Sequence, residues 1–148
     1  MSIESHIAPE WALESLDGSE VPSLESFRGK FVLILIFSRG CPGCMGRAIP
    51  FSLELKKNYP ELQTIAIHTR FEGPEYSNRQ IEEVKLYFKL PYHLYKDRGK
   101  ETYERYHAEG TPHWVLLDKE GRVIRSIWGS MANVQNRLQY AMAELFES

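Results

Sequence analysis

Cysteine is scarce in this chain: two residues in 148, Cys41 and Cys44, separated by two positions. Two cysteines are too few to staple a small secreted scaffold, and a chain of this length builds a hydrophobic core without staples. A disulfide across so small a loop restricts the unfolded chain little, so stabilisation is a poor reason for the pair and chemistry a better one. A lone C-x-x-C supplies half of a tetrahedral zinc site, and no second cysteine pair exists; no metal and no cofactor are expected.

A surplus of one charge is missing too. Eighteen Lys and Arg face 20 Asp and Glu, a formal charge of −2, which gives no reason to expect a nucleic acid or an anionic membrane as partner. The longest apolar run, Phe31 to Phe37, is far short of the roughly 20 residues of a membrane-spanning helix. Met1-Ser-Ile-Glu-Ser-His6 has neither the basic stretch nor the apolar segment of a secretory leader, so a cytoplasmic protein is expected. Internal repeats, low-complexity tracts and linkers are absent. With hydrophobic residues at 43% and charged residues at 26%, disorder is disfavoured, and one domain over residues 1–148 is the expectation, as a monomer or weak dimer.

What is present reads as alternating strands and helices. Asp17-Gly18 is a turn signal that predicts a small hairpin between Trp11–Leu16 and the region of Val21, an N-terminal extension. Ser23 to Phe27 reads as a short helical turn closed by Gly29. Lys30-Phe-Val-Leu-Ile-Leu-Ile-Phe37 is continuous and β-branched, a strand buried on both faces. A helix follows Cys44 to about Asn58, with Pro50 expected to kink it, and Leu62 to His68 is a second strand. Strand, helix and strand make a parallel βαβ unit. Thr69 to Ser77 reads as a loop, Asn78 to Leu90 as a helix, and Lys100 to His107 as a short helix, with no element assigned between them. Trp114–Asp118 and Val123–Trp128 flank Lys119-Glu-Gly121 as an antiparallel hairpin. Ser130 or Asn133 is a candidate cap for a last helix burying Val134, Leu138, Ala141, Met142 and Leu145. The fold class is α/β: a mixed central sheet with helices on both faces.

Cys41-Pro42-Gly43-Cys44 falls where the buried strand hands over to a helix. The first N–H groups of a helix are unpaired and partially positive, so a thiolate is favoured there and a pKa below the free value of ~8.5 is expected for Cys41. Arg39 and Arg47 flank the site in sequence. The pattern predicts that Cys41 attacks a disulfide and that Cys44, more buried and one turn along, resolves the mixed disulfide.

These residues carry a resemblance. Cys41-Pro-Gly-Cys44 after a strand, Gly110-Thr-Pro112 before Trp114-Val-Leu-Leu-Asp118, and Gly121-Arg-Val-Ile124 resemble the thioredoxin superfamily. Ala8-Pro-Glu-Trp11, Leu16-Asp-Gly18 and Leu24-Glu-Ser-Phe-Arg-Gly-Lys30 look like its TlpA-like thiol-disulfide oxidoreductase branch, related to the alkyl-hydroperoxide-reductase (redoxin) clan. The resemblance implies a thioredoxin-like fold and Cys41 and Cys44 as catalytic residues. It implies that Thr111-Pro112 is a cis-proline loop, with Pro42, Gly43, Thr111 and Pro112 contacting substrate. It also implies a protein or small-molecule disulfide as substrate, together with a redox partner.

The departures from that pattern are specific. Gly40 stands where such proteins often place Trp, and Leu35 and Arg47 stand where they place an acid. Pro50 comes one residue late, and Pro-Gly reverses the thioredoxin dipeptide, leaving the direction of electron flow open. His68 and His113 are secondary candidates for proton transfer, with a structural role the commoner outcome for buried histidines. The rival reading is a thiol peroxidase with Cys41 peroxidatic and Cys44 resolving. Peroxiredoxins usually carry Thr, Pro and Arg where this chain has Ser38, Ile34 and Pro112, so a cation to activate the peroxide is lacking.

Overall fold

The computed structural model describes residues 2–70 and 73–147. Six strands form one sheet in the order β1-β4-β3-β2-β5-β6. They are β1 Leu13–Glu14, β2 Val32–Phe37, β3 Gln63–His68, β4 His93–Asp97, β5 His113–Leu117 and β6 Val123–Trp128. The helices are α1 Ile49–Asn58, α2 Asn78–Phe88, α3 Glu101–Arg105 and α4 Ala132–Phe146. β2 pairs parallel with β3 in the register Val32↔Gln63, and β3 pairs parallel with β4; β5 runs antiparallel to β2 and to β6. The expected βαβ unit and the late hairpin are therefore both present.

β2 is buried at every residue because it is the sheet's central strand, and its two faces feed two cores. Leu33, Leu35 and Phe37 point into the core formed with α1, α2 and α4, where Ile49, Leu55, Ile81, Val84, Leu138 and Met142 meet them. Val32, Ile34 and Ile36 point the other way, against Trp11, Leu24, Tyr103 and Tyr106. The opposite face is thus covered by α3 and the N-terminal segment rather than by long helices. Thr102, Tyr103 and Tyr106 are buried there, so α3 is an anchored element and not simply a solvated stretch.

Three expectations need correcting. No N-terminal hairpin forms among the described residues. Asp17-Gly18 does bend the chain, with Gly18 at φ +83°, but β1 pairs antiparallel with β4 (Leu13↔Asp97). The segment beyond the bend carries Pro22, which donates nothing to a ladder; its carbonyl instead accepts from the Trp11 indole N–H at 2.9 Å. β4 is a strand where the sequence marks no element. Finally, α4 starts after Met131 with no side-chain cap, Ser130 being engaged elsewhere. The loop expected from Thr69 to Ser77 is irregular where described, residues 71 and 72 lying outside the described set.

Candidate active site

β2 ends at Phe37, and after four residues the chain enters a helix at Pro42, at the C-terminal edge of the sheet. Pro42 sits in the first turn, where a missing N–H costs nothing and its fixed φ suits the helix. The Cys44 N–H points back at Cys41, 3.2 Å from Sγ and 3.1 Å from the carbonyl oxygen, and Cys41 N–H donates to Ser38 O at 3.1 Å. Cys41 is half-buried and Cys44 is fully buried; both thiols are free. Burial, followed by the hydrogen bond with Cys41, pushes the Cys44 thiol well above its ordinary range. The two sulfurs of the motif thus differ in access as the sequence led one to expect.

Pro50 shapes the helix that carries them. Its ring nitrogen has no hydrogen to donate to the carbonyl of Gly46, and a regular α-turn would press the ring on that carbonyl. Over Cys44–Ala48 the helix widens into a π-turn, in which the Ile49 N–H donates to Cys44 O, five residues back. The expected kink is therefore a local widening that begins at the second cysteine of the pair.

The Thr111–Pro112 peptide is cis, as the resemblance implied. The Cys41 thiol donates to Thr111 O at 3.4 Å, and Gly129 N–H donates to Pro112 O at 2.9 Å, so β6's end, the proline loop and the first cysteine form one continuous surface. Among the described residues the Thr111 N–H has no partner. Pro42, Gly43, Thr111 and Pro112 are all brought to the cysteine pair or to its immediate neighbours.

Two contributors were invisible in the sequence. Tyr76, from the loop before α2, closes over Gly40: a β-carbon built there would lie 2.7 Å from the phenol oxygen. The Tyr76 ring packs edge-on against His68 with centroids 5.7 Å apart, and the Arg39 guanidinium lies 5.7 Å from its centre. The space left by the missing large residue at position 40 is thus taken by a tyrosine distant in sequence; Gly40 was the only hint. The second is Ser130, whose hydroxyl stands 2.9 Å from the β-carbon position of Gly43 and accepts from Arg47 Nε at 3.3 Å.

The histidines are structural in their contacts. His68 Nε2 accepts the Arg39 backbone N–H at 3.0 Å, and burial lowers its pKa to about 4. His113 Nε2 lies 2.9 Å from Ser126 Oγ, its Nδ1 faces the Glu109 N–H at 3.5 Å, and burial lowers it to about 4 as well. Both rings are neutral near pH 7. Leu35 is fully buried and Arg47 exposed, so neither supplies a base to Cys44.

Comparison with known proteins agrees with this geometry. The Redoxin family model matches residues 4–140. A thiol-disulfide oxidoreductase ResA of Bacillus thuringiensis subsp. konkukian is 25% identical over 130 residues, covering 86% of this chain and 71% of the relative. The ResA of Geobacillus thermodenitrificans is 28% identical over 124 residues, covering 84% and 68%. Among solved structures, a thiol-disulfide isomerase from Corynebacterium glutamicum superposes with a TM-score of 0.80 at 24% identity, covering 95% of this chain and 97% of that one. The thioredoxin domain of a thiol-disulfide oxidoreductase from Bacteroides vulgatus gives 0.73 at 22% identity, covering 93% and 96%. At these identities the structures establish the shared fold, and the family match extends over nearly the whole chain. The chain belongs to the Redoxin family and is a TlpA-like oxidoreductase of the thioredoxin superfamily.

Proposed function

We propose that the chain exchanges disulfides through Cys41 and Cys44 by way of a mixed disulfide. The observation that carries this is the asymmetry of the pair: a partly exposed Cys41 whose sulfur is approached by the Cys44 N–H, and a fully buried Cys44 one turn behind it. The Cys41 thiolate attacks one sulfur of a substrate disulfide, forming a new S–S bond and expelling the other substrate sulfur as a thiolate. Cys44 then attacks Cys41 Sγ, its proton passing to the departing substrate thiolate. This closes the Cys41–Cys44 disulfide and releases the second substrate sulfur as a thiol. In this direction the substrate gains two electrons and the protein loses two, and a thiol redox partner restores the pair. The same steps run in reverse, and the reduction potential of the pair sets the direction.

The proline loop supports this reading. The free Thr111 N–H and half-exposed Thr111 flank Cys41, offering an edge on which an extended substrate chain can pair, with Pro42, Gly43 and Pro112 as its floor. Peroxide reduction by Cys41 is less well served: the position where a cation would polarise a peroxide holds Pro112, and Arg39 is paired with Glu83 at 2.7 Å. The partners in this reading are a protein or small-molecule disulfide and a redox partner, and the protein is a cytoplasmic monomer or weak dimer.

Cys41→Ser is expected to abolish reduction of insulin disulfides, whereas Cys44→Ser accumulates mixed disulfides visible on non-reducing gels. Insulin reduction that survives Cys41→Ser sinks the assignment of the nucleophile.

A further inference from the structure

The segments that carry the cysteine pair and flank it differ in charge from the rest of the chain. Residues 38–52, 110–117 and 128–143 form the reactive turn, the proline loop with its strand, and the end of β6 leading into α4. Together they contain Arg39, Arg47 and Arg137 and not one Asp or Glu, in a chain that carries 20 acidic residues. Carboxylates on neighbouring elements include Glu83, held by Arg39, and Glu109, which precedes the proline loop. Glu4 accepts from the Ser126 N–H at 2.8 Å and lies beside Arg137, and Glu14 and Asp97 line the pocket beside Ser38 and Tyr76. Glu75 is bridged to Arg70 at 3.8 Å.

Within this rim Arg47 is the cation best placed to meet a substrate. It is exposed, and its Nε donates to Ser130 Oγ, which itself touches Gly43 between the cysteines. Its terminal nitrogens have no partner among the described residues. Across the site, the indole of Trp128 covers Gly110, where a β-carbon would lie 2.5 Å from Nε1, yet Trp128 is 53% and Met131 58% exposed. Exposed apolar side chains of this size beside an unpaired backbone N–H form a wall that a polypeptide covers and a small ion does not.

We propose that this rim selects disulfides in acidic, extended polypeptide segments, Arg47 meeting a carboxylate near the substrate cysteine while Trp128 and Met131 cover its apolar neighbour. The inference rests on the disulfide-exchange reading above and specifies its substrate class. Arg47 acts as a specificity residue; it takes no part in the sulfur chemistry. Because the guanidinium is exposed, the discrimination is modest, about two- to five-fold for one facing carboxylate.

The test uses the Cys44→Ser variant and three peptides of otherwise equal sequence. Each is a disulfide-linked dimer through a single cysteine flanked by Glu, Gln or Lys. Capture as the Cys41–peptide mixed disulfide, with one free peptide released, is followed by mass spectrometry. The Glu peptide is expected to be captured about two- to five-fold faster than the Gln peptide, and the Lys peptide more slowly than both. The difference shrinks with added salt, disappears in Arg47→Gln and persists in Arg47→Lys. Glutathione disulfide, acidic but without an apolar neighbour, is captured more slowly than the Glu peptide; the opposite order overturns the polypeptide assignment. Equal rates for the three peptides, or a preference that survives Arg47→Gln, overturn the inference and leave disulfide exchange standing. Capture of no disulfide at all removes the exchange reading itself, and the inference with it.

Discussion

Replacing Gly40 by Ala isolates the contact that occupies the place of the family's usual tryptophan. Gly40 does not adopt a positive φ, so its backbone accepts alanine, and loss of glycine's freedom in the unfolded chain favours the variant by roughly 0.4–1 kcal/mol. Against that, the new methyl would sit 2.7 Å from the Tyr76 hydroxyl, a separation that forces one of them to move. Tyr76 is not free to swing without loss, because its ring is packed on His68 and beside the Arg39 cation. Overpacking of this kind costs about 1–3 kcal/mol, so Gly40→Ala should be net destabilising by up to about 2 kcal/mol. Removing the hydroxyl changes the sign. In Tyr76→Phe the nearest ring carbons lie 3.6 Å from the same methyl, an ordinary contact, and Gly40→Ala should then be neutral or slightly stabilising. Urea unfolding of the reduced wild type, both single variants and the double variant gives the coupling directly, with about 1–2 kcal/mol expected. Additive effects would show that Tyr76 does not fill the space over Gly40.

Two further predictions concern groups that hold the site without touching substrate. His68 and His113 are neutral in the folded protein down to about pH 4, whereas in the unfolded chain they take up protons below roughly 6.5. Between those values the unfolded state binds more protons, so stability falls on acidification, by about 2 kcal/mol per histidine from pH 7 to pH 5. His113→Gln should reduce the slope of unfolding free energy against pH by close to one proton, and an unchanged slope would contradict the assignment. Asp97 is buried and accepts from Thr69 Oγ1 at 2.8 Å, from Thr102 N at 2.8 Å and from Tyr103 N at 3.1 Å, tying α3 to the end of β3. Asp97→Asn points an amide at these donors and should cost about 2–3 kcal/mol in urea unfolding, with Cys41 alkylation in the folded protein unchanged.

The central strand, the reactive turn and the late hairpin were legible because each is written locally. An unbroken β-branched run, a cysteine pair at a strand end and a Lys-Glu-Gly turn between two apolar stretches specify their own conformation. Thr111-Pro112 was legible only through the family resemblance, since proline before a strand is ordinary in itself. β4 escaped notice because Leu94, Tyr95 and Asp97 are all buried, one of them a carboxylate, which breaks the two-residue alternation that marks a half-exposed strand. The false N-terminal hairpin has a related cause. A turn signal fixes where the chain bends, but the partner of Leu13 is decided by the open edge of β4 far along the sequence. Tyr76 over Gly40 and Ser130 beside Gly43 belong to the same class: contacts between distant segments, for which a small residue at one end is the only local trace.

Disulfide exchange by this chain depends on one sulfur being reachable while the other waits behind it. Brief alkylation of the fully reduced, folded protein at neutral pH, with the modified cysteine mapped by mass spectrometry, addresses that point most directly. Label confined to Cys41, with Cys44 modified only after unfolding, is the predicted result. Equal labelling, or label on Cys44 ahead of Cys41, would contradict the account.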